Sequence, residues 1–145
     1  LTLVQKILLT GAIIVTTPQD LAHVDVKKGS DMFRKVNAPI IGVIENMSGL
    51  ILNGNVDNNQ TSITINKEKV SINKNGEFSY IYNIFKGLSG HKESKRLKLP
   101  LLGKIFLEPR LSESCDKGIP FSKLYPDSIV EKEFKRISET IINVT

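Results

Sequence analysis

Two apolar runs in this sequence end in polar side chains suited to meeting a ligand. "GAIIVTTPQD" (residues 11–20) breaks from strand-forming residues into Thr-Thr-Pro and an acid, and "PIIGVIENMS" (39–48) ends in Glu45, Asn46 and Ser48. An asparagine amide presents a donor and an acceptor in one plane, which matches the edge of a purine base. The same residue types also cap turns and helices, so Asn46 and Thr17 carry two readings at this point: ligand contact or local cap. Other chemistry-bearing residues are sparse. The single cysteine, Cys115, excludes an internal disulfide and any cluster site built from this chain's own thiolates alone. In "SESCDKG" it reads as a buried or half-buried structural thiol, because free cysteine packs like a small hydrophobe. His23 and His91 show no ligand spacing with Cys115 or with each other, and read as surface or packing residues. No metal site is expected.

These residues need a scaffold, and 145 residues suffice for one domain with a real core. The hydrophobic fraction of 40% and charged fraction of 24% are those of a soluble globular protein. No apolar run approaches the length of a membrane span, and the first residues show no basic n-region before an apolar stretch, so no signal peptide is read there. One thiol and no disulfide fit a reducing, cytoplasmic setting. The net charge of +5 would permit a nucleic-acid or acidic-membrane partner. However, the lysines are interspersed with acids and lack aromatic interleaving, so neither partner is expected.

Along the chain, "LTLVQKILLT" puts Leu3, Ile7 and Leu8 on one helical face and reads as the end of a helix. "GAIIVTT" is a continuous apolar run, the pattern of a strand covered on both faces. Thr17, Pro18 and Asp20 read as a capping box opening a helix that runs to about Val36, weakened in its middle by Gly29. "PIIGVIENM" is a second buried strand. Strand, helix, strand at this spacing is a βαβ unit of a parallel sheet. "SGHKESKRL" reads as a short helix, "PLLGKIFL" as a strand, and "PRLSESCDKG" as a helical turn closed by Gly118. A last helix from about Asp127 carries Val130, Phe134, Ile137 and Ile141 as its apolar stripe. The fold class is α/β. Residues 49–82 differ: rich in Asn, Lys and Gly, with period-two alternation in "SITIN" and "KVSIN" and an Asn75–Gly76 turn signal, they read as two hairpins projecting as an insertion. In an open parallel sheet, ligands bind beyond the carboxyl ends of the strands, which marks "TTPQD" and "ENMS" as the place to look.

"GAIIVTTPQDLAHVDVKKGSDMFRKVNAPIIGVIENMS" closely resembles the Mrp/ApbC group of P-loop ATPases, iron–sulfur cluster carriers related to MinD and ParA. The resemblance resumes at "IFKGLSGHKESKRLKLPLLGKIFLEPRLSESCDKGIPF" and covers nearly the whole chain except 49–82. It implies a parallel-sheet P-loop NTPase-like domain of the MinD/Mrp type, with residues 1–145 as the C-terminal part of one such domain. It further implies ATP as cofactor, a homodimer that sandwiches two nucleotides, a 4Fe-4S cluster bridging the subunits, and apoproteins as recipients of that cluster. Carried over by position, Asn46 matches the asparagine that contacts the adenine. Residues 106–110, with Glu108 and Pro109, match the segment along the other side of the base. Phe106 stands where the family usually has proline. Thr17 is a second-rank candidate near the nucleotide and subunit interface.

Two departures from the pattern shape what is expected of this chain. A phosphate-binding loop has the form G-x-x-x-x-G-K-[ST], whose backbone N–H groups and lysine surround the phosphates. Here Gly103–Lys104 is followed by Ile105, and Lys98 stands where the first glycine belongs. The catalytic aspartates of the resemblance would likewise lie before Leu1, so no catalytic residue is assigned. The family's Cys-x-x-Cys would follow "ENMS", where this chain reads "GLILNGNVDNN". The leading expectation is therefore the C-terminal part of an Mrp-like ATP-dependent cluster carrier. A non-catalytic remnant or adaptor that uses its Asn-rich hairpins to bind a protein is a second reading. A MinD/ParA-like positioning protein is a third, and Glu131, Glu133 and Glu139 on the last helix disfavour membrane targeting in it.

Overall fold

The strand-forming run after Gly11 forms β1 (Ala12–Thr16), and Pro39 introduces β2 (Ile40–Asn55). These come from a computed structural model that describes residue 7 and residues 9–57 and 60–144. The helical face expected of Leu3, Ile7 and Leu8 lies outside the described residues except for Ile7, which is exposed. β1 runs parallel to β2, from Ala12 opposite Ile40 to Thr16 opposite Glu45. On its other side β2 pairs in parallel with β6 (Leu101–Leu107), so that β2 is central. The parallel βαβ arrangement read from the sequence is present.

Helices cover both faces. Ile14 and Val43 point to one side, where they meet Leu97 of α2 (Ser89–Leu97) and Val26 and Phe33 of α1 (Asp20–Lys35). Ile13 and Ile44 point to the other side. There Leu102 and Ile105 pack with Phe121 of α4 (Phe121–Leu124) and with Val130 and Ile137 of α5 (Ile129–Val144). Period-two alternation on a doubly covered strand explains why β1 and β2 read as unbroken apolar runs. Each fully buried aliphatic side chain contributes about 1.5–3 kcal/mol. Helix α5 begins two residues later than expected, at Ile129, because the Ser128 hydroxyl accepts the Glu131 N–H at 3.1 Å and sets the cap there.

Three expectations meet a different outcome. Thr17 does not cap α1. The cap position is Gln19, with no side-chain bond, and the Thr17 hydroxyl is buried without a partner. Pro18 is held elsewhere: its carbonyl accepts the Ser89 N–H at 3.3 Å, and Gly87 packs so closely on it that a Cβ there would lie 2.1 Å from that carbonyl oxygen. Second, β2 does not stop at "ENMS". It bends there, with Met47 at φ 55°, and its register with β6 jumps between Asn46–Ile105 and Leu50–Leu107. Beyond this bulge it continues to Asn55 and pairs antiparallel with β5 (Glu77–Tyr82). The hairpin of β3 (Ser62–Ile65) and β4 (Glu68–Ser71) is a separate two-stranded ribbon. Third, Cys115 is exposed rather than buried. Its helix α3 (Pro109–Asp116) turns Ser114 inward instead.

Candidate functional site

The carboxyl end of β1 meets β2 at its bulge, beside β6, and the side chain that organises this region is Glu45. It is 2% exposed, where the central strand enters the bulge. One carboxylate oxygen accepts the Gly90 N–H at 3.1 Å, at the start of α2. The other accepts the Ser48 hydroxyl at 3.2 Å and lies 3.4 Å from Lys104 Nζ. A carboxylate at a helix N-terminus satisfies a donor that the helix leaves unpaired and complements the positive end of its dipole. The fit is close: a Cβ on Gly90 would lie 2.8 Å from Glu45. Beside it, the Thr16 and Ser89 hydroxyls share a buried bond of 3.0 Å, which ties β1 to the same helix.

Glu45 thereby fixes the bulge that presents Asn46. Ser48 also donates to the Glu45 carbonyl at 2.9 Å, and Asn46 Oδ1 accepts the Met47 N–H at 2.9 Å. The cap reading of Asn46 is thus partly realised through its oxygen. Its amide nitrogen has no bond among the described residues and remains available as a donor. Asn46 sits opposite Ile105 of β6. Three residues further along that chain, Glu108 caps α3 by accepting the Arg110 N–H at 3.1 Å, and Pro109 occupies the first helical turn.

Glu108 and Arg110 form a two-pronged pair, Nε to Oε1 at 2.8 Å and Nη2 to Oε2 at 2.7 Å. The guanidinium holds the Glu108 carboxyl below the usual carboxylate range, and it also lies 4.7 Å over the Tyr125 ring. Glu108, Pro109 and Arg110 line a cavity of about 340 Å³, closed by Ile51 and Asn53 of β2 and by Asp127 at the start of α5. The structure therefore brings Glu108 and Pro109 into one cavity. Asn46 stands on the neighbouring strand outside its lining, and Thr17 lies beyond β1, across β2 from it.

A second polar centre joins α1 to α2. Glu93 is fully buried and accepts from the Ser30 hydroxyl and from Arg96 Nε and Nη2, while Arg96 also reaches Asp31 at 2.8 Å. Burial pushes the Glu93 carboxyl up, but the Arg96 and Ser30 bonds outweigh it and leave the group below its ordinary value. The buried roles of Glu45 and Glu93 were missed by sequence reasoning. For Glu45 the signal was an acid directly after a doubly buried apolar run.

The sequence matches the family model described as NUBPL iron-transfer P-loop NTPase, in the ParA group, over residues 1–79 and 60–142. The chain belongs to this family. An iron-sulfur cluster carrier protein of Aquifex aeolicus is 39% identical to it over 99% of this chain and 33% of that protein. The iron-sulfur cluster carrier protein of Methanocaldococcus jannaschii is 37% identical, over 98% of this chain and 41% of its own length. The iron-sulfur cluster transfer protein NUBPL of Dictyostelium discoideum is 34% identical, over 98% and 37%. The chain thus spans between a third and two-fifths of the curated relatives it matches. Among solved structures, the cell division ATPase MinD of Pyrococcus furiosus superposes with a TM-score of 0.61 over 93% of this chain and 43% of that one, at 21% identity. That likeness establishes the fold, a P-loop NTPase-like α/β domain with parallel strands.

The family name raises two ligands, nucleotide and iron–sulfur cluster, and the donor sets treat them differently. The Asn46 amide N–H and, apart from it, the cavity bordered by the Glu108–Arg110 pair offer hydrogen-bonding groups. No sequence of phosphate-loop form is present to hold a triphosphate. Cluster binding draws on thiolates, and this chain has one, exposed on α3. Among the described residues no group of three His, Cys, Asp or Glu side chains is placed to hold a metal ion. The residues present do not fit a cluster.

Proposed function

We propose that this chain is the base-recognising, C-terminal part of an ATP-binding iron–sulfur cluster carrier. In this reading residues 49–82 are a hairpin-like insertion within one P-loop ATPase domain. The observation that carries it is the bulge at 45–48. The central strand is bent midway along its length, pinned by Glu45 to the start of α2, and left with the Asn46 amide nitrogen unpaired among the described residues. Asn46 is the adenine contact, Glu108 and Pro109 flank the other side of the base, and Thr17, across β2 from that cavity, is a second-rank candidate near the nucleotide and subunit interface. The whole protein would act as a cytoplasmic homodimer that passes clusters to apoproteins and uses ATP hydrolysis supplied by residues outside this chain. Among the described residues no helix is long and apolar enough to cross a membrane. A non-catalytic adaptor is the second reading, favoured by the mismatch between the single exposed thiol and a cluster.

The test is Asn46→Ala in a protein that carries the complete nucleotide site. ATP affinity measured by calorimetry is expected to fall by roughly 1–3 kcal/mol, the cost of losing one base contact. Unchanged affinity would remove Asn46 from the site and the reading with it.

A further inference from the structure

Helices α1 and α2 meet through charged side chains, and one contact in that junction is incomplete. The fully buried Glu93 accepts from Ser30 and from Arg96, and its Oε2 also lies 3.6 Å from Nδ1 of His23 on α1. That ring nitrogen is itself buried and has no hydrogen-bond partner among the described residues, although the His23 side chain as a whole is 26% exposed. Two lone pairs facing each other in a region of low dielectric repel, so the proton of the ring belongs on Nδ1. The surrounding charges favour a second proton as well. Glu93 and Asp31 share one guanidinium, that of Arg96. The cations acting on Glu93 are Arg96 and His23, whereas Lys27 and Arg34 act on Asp31. Asp20, three residues before His23, is taken up by Lys92 of α2 at 2.6 Å, and Asp25 by Lys28 at 3.7 Å. The other ionisable groups of α2, His91, Lys95 and Lys98, are exposed. From the sheet, β1 brings no ionisable side chain, and β2 brings Glu45, which Gly90, Ser48 and Lys104 hold.

From this geometry we propose that His23 is a proton-operated latch between α1 and α2. With both ring nitrogens protonated, the imidazolium is an ion-pair partner of Glu93, and α2 is tied to α1 at three points: Asp20–Lys92, His23–Glu93 and Asp31–Arg96. With one proton lost the ring is neutral, 3.6 Å exceeds hydrogen-bond reach, and the middle tie is released. The latch steadies the seat of α2 on the sheet. Ser89 and Gly90, in the first turn of that helix, hold Thr16 and Glu45, so the junction bears on the bulge that presents Asn46. An imidazolium that gains a partner on folding binds its proton more readily in the folded chain than in the unfolded one. Its contribution is therefore complete below the ordinary imidazole value of about 6.5 and is lost as pH rises above it. The proposal does not depend on nucleotide binding.

The test is a double-mutant cycle of His23→Gln and Glu93→Gln, read by urea unfolding at pH 5.5 and again at pH 8.5. At pH 5.5 the coupling between the two side chains is expected to change the unfolding constant about fivefold, and at pH 8.5 to vanish. Coupling of equal size at both pH values, or none at pH 5.5, would overturn the proposal by making His23 a packing residue. Glu93 is buried, so a second measurement leaves it in place: nitrogen-15 NMR of the imidazole rings in the parent chain, with His91→Gln fixing the assignment. His23 is expected to keep its second proton to higher pH than the exposed His91 and, once neutral, to carry the remaining proton on Nδ1. Proton loss at the same pH as His91, or a neutral ring protonated on Nε2, would overturn the latch even if the Glu93 variants fail to fold.

Discussion

The two sides of the parallel sheet are finished in opposite ways. On the β6 side, Glu133 and Arg136 stand in for a neighbouring strand, one accepting and one donating to the outward backbone. Gly103 lets α5 approach closely enough for this, since a Cβ there would lie 2.5 Å from Glu133 and from Ile137. On the β1 side, no side chain of the described residues is bonded to the outer backbone. Val15 of β1 is 56% exposed, and Leu21 and Val24 of α1 are 79% and 52% exposed. A sheet edge left bare and apolar is a template for another strand, whereas a covered and charged edge ends the sheet. β6 is thus built as a terminal strand, and β1 is built to have a neighbour.

The sharpest way to break this comparison is to purify the 145-residue chain by itself. It is expected to self-associate through the β1 side, read by sedimentation velocity, and Val15→Lys is expected to restore much of the monomer by placing a charge on the open edge. A soluble monomer with a sharp, reversible melt would show that β1 needs no neighbour. The Glu133–Arg136 clasp on β6 gives the next effect. Glu133→Ala strands the Lys104 N–H and frees Arg136, which is expected to cost about 1–2 kcal/mol. A fall in the denaturant midpoint without change in slope would register it. If the midpoint holds, the clasp is ornamental and the two edges differ less than their geometry implies.

Much of the fold was legible in the sequence, though not this contrast, and the reason differs by element. β1, the first half of β2, β6 and three of the four stripe residues of α5 were readable because buried strands and amphipathic helices write their burial into residue periodicity; the fourth, Phe134, is exposed. The Glu133–Arg136 spacing was equally visible, but its backbone targets on β6 were not, since they depend on how close Gly103 brings the helix. The capping box at Thr17 failed for a similar reason. Pro18 is captured by Ser89 and Gly87, about seventy residues away, and that tertiary contact overrides a local motif. β2 runs on past Gly49, where the missing side chain allows close approach: a Cβ there would sit 3.0 Å from Ile81. At the candidate site, Asn46 and Glu108 were nominated from residue type and from the family resemblance. The clamp through Glu45 was not, because the Gly90 N–H reaches it only once α2 has folded over the strand ends.

Acid titration provides the finest resolution of the two sides. Glu133 on the β6 side and Glu93 beneath the α1–α2 layer near β1 both have carboxyl groups held below their ordinary value of 4.5. For Glu133 the cause is Arg136 first, opposed by burial; for Glu93 burial opposes, and Arg96 and Ser30 prevail. A carboxyl whose folded pKa is depressed binds fewer protons folded than unfolded. It therefore stabilises the fold above the unfolded value and loses that contribution as pH falls through the folded one. The carboxylate share of stability is thus expected to be level near neutrality and to decline below about pH 4.5, the ordinary glutamate value. Glu133→Gln keeps an acceptor for the Lys104 N–H but removes the titrating charge, so it should flatten part of the decline. Glu93→Gln should flatten a further part, leaving what Glu108 and the other paired carboxyls contribute, while lowering stability at neutral pH, since Arg96 then keeps only Asp31 as a charged partner. Denaturant midpoints from pH 7 to pH 3 separate these contributions. If the two variants decline as steeply as the parent protein, acid sensitivity arises elsewhere, and the clasp and the helix junction are held by geometry rather than by charge.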